Sequence, residues 1–221
     1  MENVFKIIAR EESVKTDNLK GLLAPFGDVE VVLDVVGDIK GLTGMTGRWR
    51  NKTTAWDTLF KDLEEEYTWV IEDDIAFNKD TISAIFNCFK SDKSDLITNW
   101  VLPRKKDPNW GWWHLTNAFK DICPSKSWIS LNCICRISPT LIRRVKDFVS
   151  KHGKGLFHEI LLPTLSDTRV DFRSIDKFKG FFEVNNFNWS QPAVNLDKIQ
   201  GNKIYHPVKS DSKHTQICNY G

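Results

Sequence analysis

The chain has 221 residues, 41% hydrophobic and 27% charged, with a formal net charge of +2, so it is long enough for one good-sized domain or two small ones and has an ordinary globular balance. The near-neutral charge excludes a strong polyanion-binding field, and with no basic aromatic motif it argues against a nucleic-acid partner. No run of about 18 apolar residues is present to predict a membrane span, and Met1 to Arg10 lacks the apolar core and cleavage site of a signal peptide.

Five Cys with no CxxC pair point to reduced thiols in a cytosol-like compartment. Nine Trp and 14 Phe exceed the usual share for this length and leave rings to spare for a carbohydrate platform. Val4 to Ala9 reads as a first strand, followed by Arg10, Glu11, Glu12 and Ser13. A helix is expected over Thr16 to Leu23, and Pro25 to Asp28 reads as a turn. Val29 to Val36 is a second strand, interrupted by Asp34. A carboxylate there either bonds within the fold or reaches a ligand at the strand end.

Gly37 to Gly47 is a glycine-bearing loop that fits neither a Walker A pattern nor GxGxxG. Arg48, Arg50 and Lys52 cluster at the start of the helix that follows. Cations there oppose the helix dipole unless an anion binds, and the alternative is a solvated basic turn. Asn51 is a cap candidate, and Trp56, Leu59, Phe60 and Leu63 recur on one apolar face.

Thr68 to Phe77 is the most informative stretch. Trp69, Val70 and Ile71 read as a short buried strand. Glu72, Asp73 and Asp74 then stand at its carboxyl end, where open α/β sheets bind ligands. Adjacent carboxylates repel one another, and a divalent cation such as Mg²⁺ or Mn²⁺ relieves the repulsion while carrying substrate phosphates. The residues therefore suit a metal-nucleotide site and, equally, an acidic strand-to-loop turn on the surface.

Asn78 or Asp80 caps a helix bearing Ile82, Ile85, Phe86 and Phe89. Asp95 to Leu102 reads as a strand closed by Pro103, and Arg104 to Pro108 as a basic turn. Trp110, Trp112 and Trp113 around Gly111 suit either packed core or an aromatic rim over a cleft. Ser127 to Ile137 reads as a strand in which Cys133 and Cys135 point the same way, as core thiols and not metal ligands. Ser138 caps a helix with Pro139 at its first position, ended by Gly153 and Gly155. Phe157 to Pro163 is a short apolar segment enclosing His158 and Glu159. Glu159 either pairs with an Arg or Lys or serves as base or acceptor ligand. Arg169 to Phe172 is a candidate strand. Ile204 to Lys209 is the last ordered piece, with His206 in the extended conformation favoured before proline. Ser210 to Gly221 reads as a loose tail. Alternating strands and helices predict an α/β fold with a mainly parallel central sheet, the acidic triplet near its middle.

A first strand ending Ala9-Arg10-Glu11, a second strand bearing Asp34, and a strand ending in a D-x-D-like triplet resemble the GT-A glycosyltransferases. The segments FHEILLP (157–163) and IYHPVK (204–209) resemble the same class, and the size is similar to compact chlorovirus-encoded GT-A domains. Glu72 departs from the pattern, since Asp is usual there. The resemblance implies one Rossmann-like GT-A domain over residues 1–209. Residues 1–100 would form the nucleotide-sugar half and residues 101–209 the acceptor half, with 210–221 as a tail. It implies transfer of a glucose- or rhamnose-type sugar from a UDP-sugar to a glycan acceptor, leaning toward inversion. Ala9, Arg10, Asp34, Lys52 and Lys209 would serve the nucleotide side, and Glu72 and Asp73 the ribose or sugar. Asp74 and His206 would bind Mn²⁺ or Mg²⁺. Glu159, with Asp107 second, would be the general base, and Trp110, Trp112, Trp113 and His158 would meet the acceptor. The expected compartment is the cytoplasm, that of a host cell if the protein is viral, and the tail after Lys209 is compatible with truncation of a longer multidomain polypeptide or with a natural end. Two competitors remain. A sugar nucleotidyltransferase would usually carry a glycine-rich loop where Arg10-Glu11-Glu12 stands. A carbohydrate-binding module would leave the acidic triplet without a task.

Overall fold

The computed structural model describes residues 3–33, 56, 59–60, 63, 66–110, 127–152, 157–166, 172–187, 199 and 201–221. Its centre is a five-stranded sheet. Strand β1 (Asn3–Ala9) lies between β2 (Gly27–Leu33) and β3 (Thr68–Glu72), parallel to both. Strand β7 (Ile134–Ile137) pairs antiparallel with β3 and with β4 (Leu96–Ile97), giving the order β2-β1-β3-β7-β4. Within this sheet β7 alone runs against the other four. Two ribbons lie outside it. Strand β5 (Val101–Pro103) pairs antiparallel with β6 (Trp128–Ser130), and β8 (Phe182–Phe187) pairs parallel with β9 (Ile204–His206).

Helices cover both faces of the sheet. On one face Leu19 and Leu23 of α1 (Val14–Leu23), Ile82, Ile85 and Phe89 of α2 (Lys79–Phe89) and Phe178 of α5 (Phe172–Lys179) pack with Trp69 and Ile71 of β3. On the other, Leu141, Ile142 and Val145 of α3 (Pro139–His152) and Leu161 and Leu162 of α4 (His158–Leu165) pack with Val70. Trp56, Leu59, Phe60 and Leu63, the predicted apolar face, join this second cluster. A strand covered on both faces has no reason to alternate polar and apolar residues. All five residues of β3 are buried, as its unbroken apolar run implies.

The helix starts follow local chemistry. Ser13 and Thr16 form a capping box at α1, Asn78 accepts from the Thr81 N–H at 2.9 Å, and the Ser138 hydroxyl accepts from the Leu141 N–H at 3.1 Å. Such side chains satisfy amide groups that the first turn leaves orphaned.

The structure corrects five sequence expectations. Asp95 to Leu102 is two short strands, β4 and β5, because Thr98 leaves the ladder to donate its hydroxyl to the Leu131 carbonyl. Ser127 to Ile137 is likewise split into β6 and β7, and Cys133 and Cys135 pack into different apolar clusters. Both thiols are buried, and burial pushes the Cys135 thiol well above its ordinary pKa. The segment from His158 is helical in spite of Pro163. Phe172, placed in a strand by sequence, opens α5, while residues 167–171 lie outside the described set. Finally, Ser210 to Gly221 is no loose tail. Ser210 caps α6 (Asp211–Cys218), whose Ile217 and Cys218 pack with Ala76, Tyr205 and Val208, and with Leu22 of α1.

Candidate metal centre

Strand β3 delivers the acidic triplet to the middle of the sheet, at the carboxyl ends of β1 and β3. Three backbone bonds hold it there. The Glu72 N–H donates to Cys133 O at 2.8 Å, the Asp73 N–H to Ile8 O at 3.0 Å, and the Ile75 N–H to Glu72 O at 3.1 Å. Glu72 and Asp74 are buried, whereas Asp73 turns toward solvent and pairs with Lys15 of α1 at 3.2 Å.

The end of the chain returns to the same turn. Ala76 and Tyr205 exchange two backbone bonds, at 3.0 and 2.9 Å, and the Val208 N–H donates to Asp74 O at 2.7 Å. This pairing places His206 over the acidic turn. Its Nε2 lies 3.5 Å from Asp74 Oδ1 and 3.6 Å from Glu72 Oε2. One donor atom from each of the three residues lies within 4.8 Å of the other two. The remaining oxygen of Asp74 is bonded to the Lys209 ammonium.

The donor set fits a divalent cation. Metal–ligand bonds of roughly 2.1 Å at tetrahedral or octahedral angles put neighbouring ligand atoms about 3–3.4 Å apart. The imidazole–carboxylate separations exceed that by a few tenths of an ångström. Two buried carboxylates facing one imidazole need positive charge, because close burial disfavours ionising both without it; Lys209 supplies one at Asp74, and a cation among the three donors would supply more. Carboxylate oxygens accept hard cations, and the imidazole adds a nitrogen that transition ions bind well.

A second polar group is tied to the same strand end through the approach to β7. Along β3, Glu72 shares the Val70 face, the one that Leu161 and Leu162 of α4 cover. Cys133, whose carbonyl holds Glu72, follows Asn132, and Asn132 donates from Nδ2 to the His158 carbonyl at 3.1 Å. Ser130 in turn donates to Asn132 Oδ1 at 2.7 Å. The first turn of α4, with buried His158 and Glu159, is thereby tied to the strand end that carries Glu72. The His158 ring stacks on Trp56, with centroids 4.3 Å apart and planes 6° from parallel.

The other sequence candidates are spread around this core. Ala9 is buried at the end of β1 and Arg10 is exposed beside it. Asp107 is half-buried on the turn after Arg104–Lys106, and Trp110 stands 6.1 Å from Phe157 between ring centroids. Asp34, Lys52, Trp112 and Trp113 lie outside the described residues. Asp74 and His206, expected together as metal ligands, are together; Glu72, expected at the sugar, stands with them. Sequence reasoning missed Lys15 and His214. His214 was detectable, because Ser210 with Asp211 after it is a helix-start signal and His214, Ile217 and Cys218 then share one face. The sequence matches no protein-family model, and no curated protein matches it.

Proposed function

We propose that the protein is a metal-dependent glycosyltransferase that moves a hexose or deoxyhexose from a UDP-sugar to a glycan acceptor. The observation that carries this reading is the buried Glu72, Asp74 and His206 group at the carboxyl end of a central strand of an α/β sheet. The GT-A resemblance of the sequence supports the same reading. Mn²⁺ suits the mixed oxygen and nitrogen donors better than Mg²⁺, which prefers oxygen alone.

Glu72, Asp74 and His206 would hold a divalent ion, which would supply Lewis-acid charge to a departing diphosphate. Lys209 and Lys15, already at the rim through Asp74 and Asp73, offer further cationic contacts to the same anion. Glu159 takes the proton of the acceptor hydroxyl on a carboxylate oxygen, as a general base must from hydrogen-bonding distance. Asp107, on a half-exposed surface turn, is the weaker candidate for that step. Trp110 beside Phe157 provides a ring face for the acceptor sugar.

Calorimetric titration of UDP with Mn²⁺, and then with EDTA, tests the reading. Binding is expected only with the metal, and Asp74→Ala is expected to weaken it by at least about 10–100-fold, the scale seen when even the outer partners of metal ligands are lost. UDP binding that survives EDTA, or that Asp74→Ala leaves intact, overturns the site assignment. Turnover of a nucleoside triphosphate with a sugar phosphate would instead mark a nucleotidyltransferase. Glycan affinity without metal or nucleotide would mark a binding module.

A further inference from the structure

The acidic turn is held from behind by α6. The His214 Nε2 lies 2.7 Å from the Ile75 carbonyl oxygen, and His214 is fully buried. A carbonyl only accepts, so the proton resides on Nε2. That leaves Nδ1 as an acceptor, and Asn18 of α1 donates to it from Nδ2 at 3.3 Å, with the Cys218 thiol at 3.5 Å. Asn18 also donates to the Thr215 hydroxyl at 3.0 Å, which ties α1 to α6. Burying an imidazole is expensive unless its nitrogens are satisfied, and here both are.

What that group fixes is the backbone beside a metal-centre carboxylate. The Asp74 carbonyl is held by the Val208 N–H, and the Ile75 carbonyl by His214. The peptide planes on both sides of Ile75 are thus anchored, one to the segment that carries His206 and the other to α6. With both planes held, the turn that aims Asp74 Oδ1 at His206 Nε2 is set before any ion arrives. Ligand groups held in place bind a metal more tightly than groups that must be ordered on binding.

We infer that His214 is a positioning residue for the metal centre, acting through the Ile75 carbonyl, so that α6 is a working part of the site and not a terminal appendage. The inference rests on the reading of Glu72, Asp74 and His206 as a metal centre.

Mn²⁺ alone, titrated into the full chain by calorimetry, tests it. His214→Phe is expected to weaken Mn²⁺ binding by about 10-fold or more. His214→Gln, whose side-chain amide can still donate to Ile75 O, is expected to stay within about threefold of the parent chain. Ile217→Ala, on the same helix and buried in the same cluster, is the structural control. It is expected to lower the melting temperature without changing Mn²⁺ affinity. Unchanged affinity in a folded His214→Phe overturns the inference, and so does an equal loss in Ile217→Ala, which would mean general loosening. Should His214→Phe fail to fold, His214→Met, which likewise leaves the Ile75 carbonyl without its donor, takes its place. A loss of about threefold or more supports the inference, and unchanged affinity overturns it. A parent chain that takes up no Mn²⁺ overturns the metal centre itself, a result distinct from equal binding by parent and variant.

Discussion

Glu159 is the residue on which the proposed chemistry turns most directly. It is buried in the first turn of α4 beside His158, whose ring is clamped by Trp56 and whose carbonyl is held by Asn132. A base on a fixed helix turn loses little orientation on substrate binding. Glu159→Gln keeps the shape and removes the proton acceptor. Donor binding is therefore expected to persist while turnover falls by about 10²-fold or more, the usual range for losing general-base catalysis. Steady-state turnover of the UDP-sugar, beside UDP titration of the same variant, separates the two effects. Unchanged turnover removes Glu159 from the mechanism. At this scale the sequence was informative where chemistry is concentrated. Three carboxylates after a buried strand, and a Glu inside an apolar segment, stand out because burial of such groups needs a reason. Lys15 was not legible, because its partner Asp73 lies 58 positions away in the chain (73 − 15) and a lone lysine on a helix has no distinguishing pattern.

Elements were legible where one pattern dominated over a whole segment. The capping box of α1, the cap of α2 and the Ser-Pro start of α3 are local signals, and the helices start where those signals lie. The strand pairs β4 with β5 and β6 with β7 were read as single strands because strand-forming residues stand on both sides of Thr98-Asn99 and of Asn132. What interrupts them is tertiary: the Thr98 hydroxyl on Leu131 O, and Asn132 reaching to α4. Phe157 to Pro163 was read only as a short apolar segment, because its apolar residues follow one another without helical spacing, and it forms α4 with Pro163 inside the helix. The entry to β2 has a local requirement of its own. Gly27 has φ +158° and pairs with Asn3, and a Cβ there would stand 2.0 Å from the Asn3 carbonyl oxygen. That atom belongs to the β1 backbone and cannot swing aside. Gly27→Ala is therefore expected to force the two strands apart at their first rung. The expected loss is about 1–3 kcal/mol, the scale of overpacking a tight site. The shift of the urea midpoint measures it, and an unchanged midpoint would show that the rung yields freely.

Over the whole molecule, the sheet with helices on both faces follows from composition and element order. The closure of the end of the chain onto α1 and the acidic turn does not. That closure depends on His214, which satisfies both nitrogens only when α1, α6 and the Ile75 carbonyl meet. It also gives the fold a pH dependence. Burial is the main cause of the drop in the His214 pKa from 6.5 to about 4, a drop to which Lys15 adds; the bond to Ile75 and the charges of Asp211 and Asp74 act the other way. The folded state therefore refuses a proton that the unfolded chain accepts. Stability from this group is fully present above pH 6.5, falls as the pH drops toward 4, and levels off below that. A shift of this size amounts to about 3 kcal/mol over the window. Asp92 acts in a lower range. Burial works against its ionisation, but hydrogen bonds from Ser174 and Ser94 and the charge of Arg136 outweigh it and lower its pKa below 3.8. Its contribution is present above that value and lost only in stronger acid. The difference between the parent chain and His214→Gln in urea unfolding between pH 7 and 4.5 thus reports on His214. The parent chain is expected to lose stability steadily across that interval. His214→Gln, with no titrating ring, is expected to show a flatter profile over the same range. Parallel profiles for the two proteins would mean that His214 takes its proton as readily folded as unfolded, and would contradict its burial between α1 and the acidic turn.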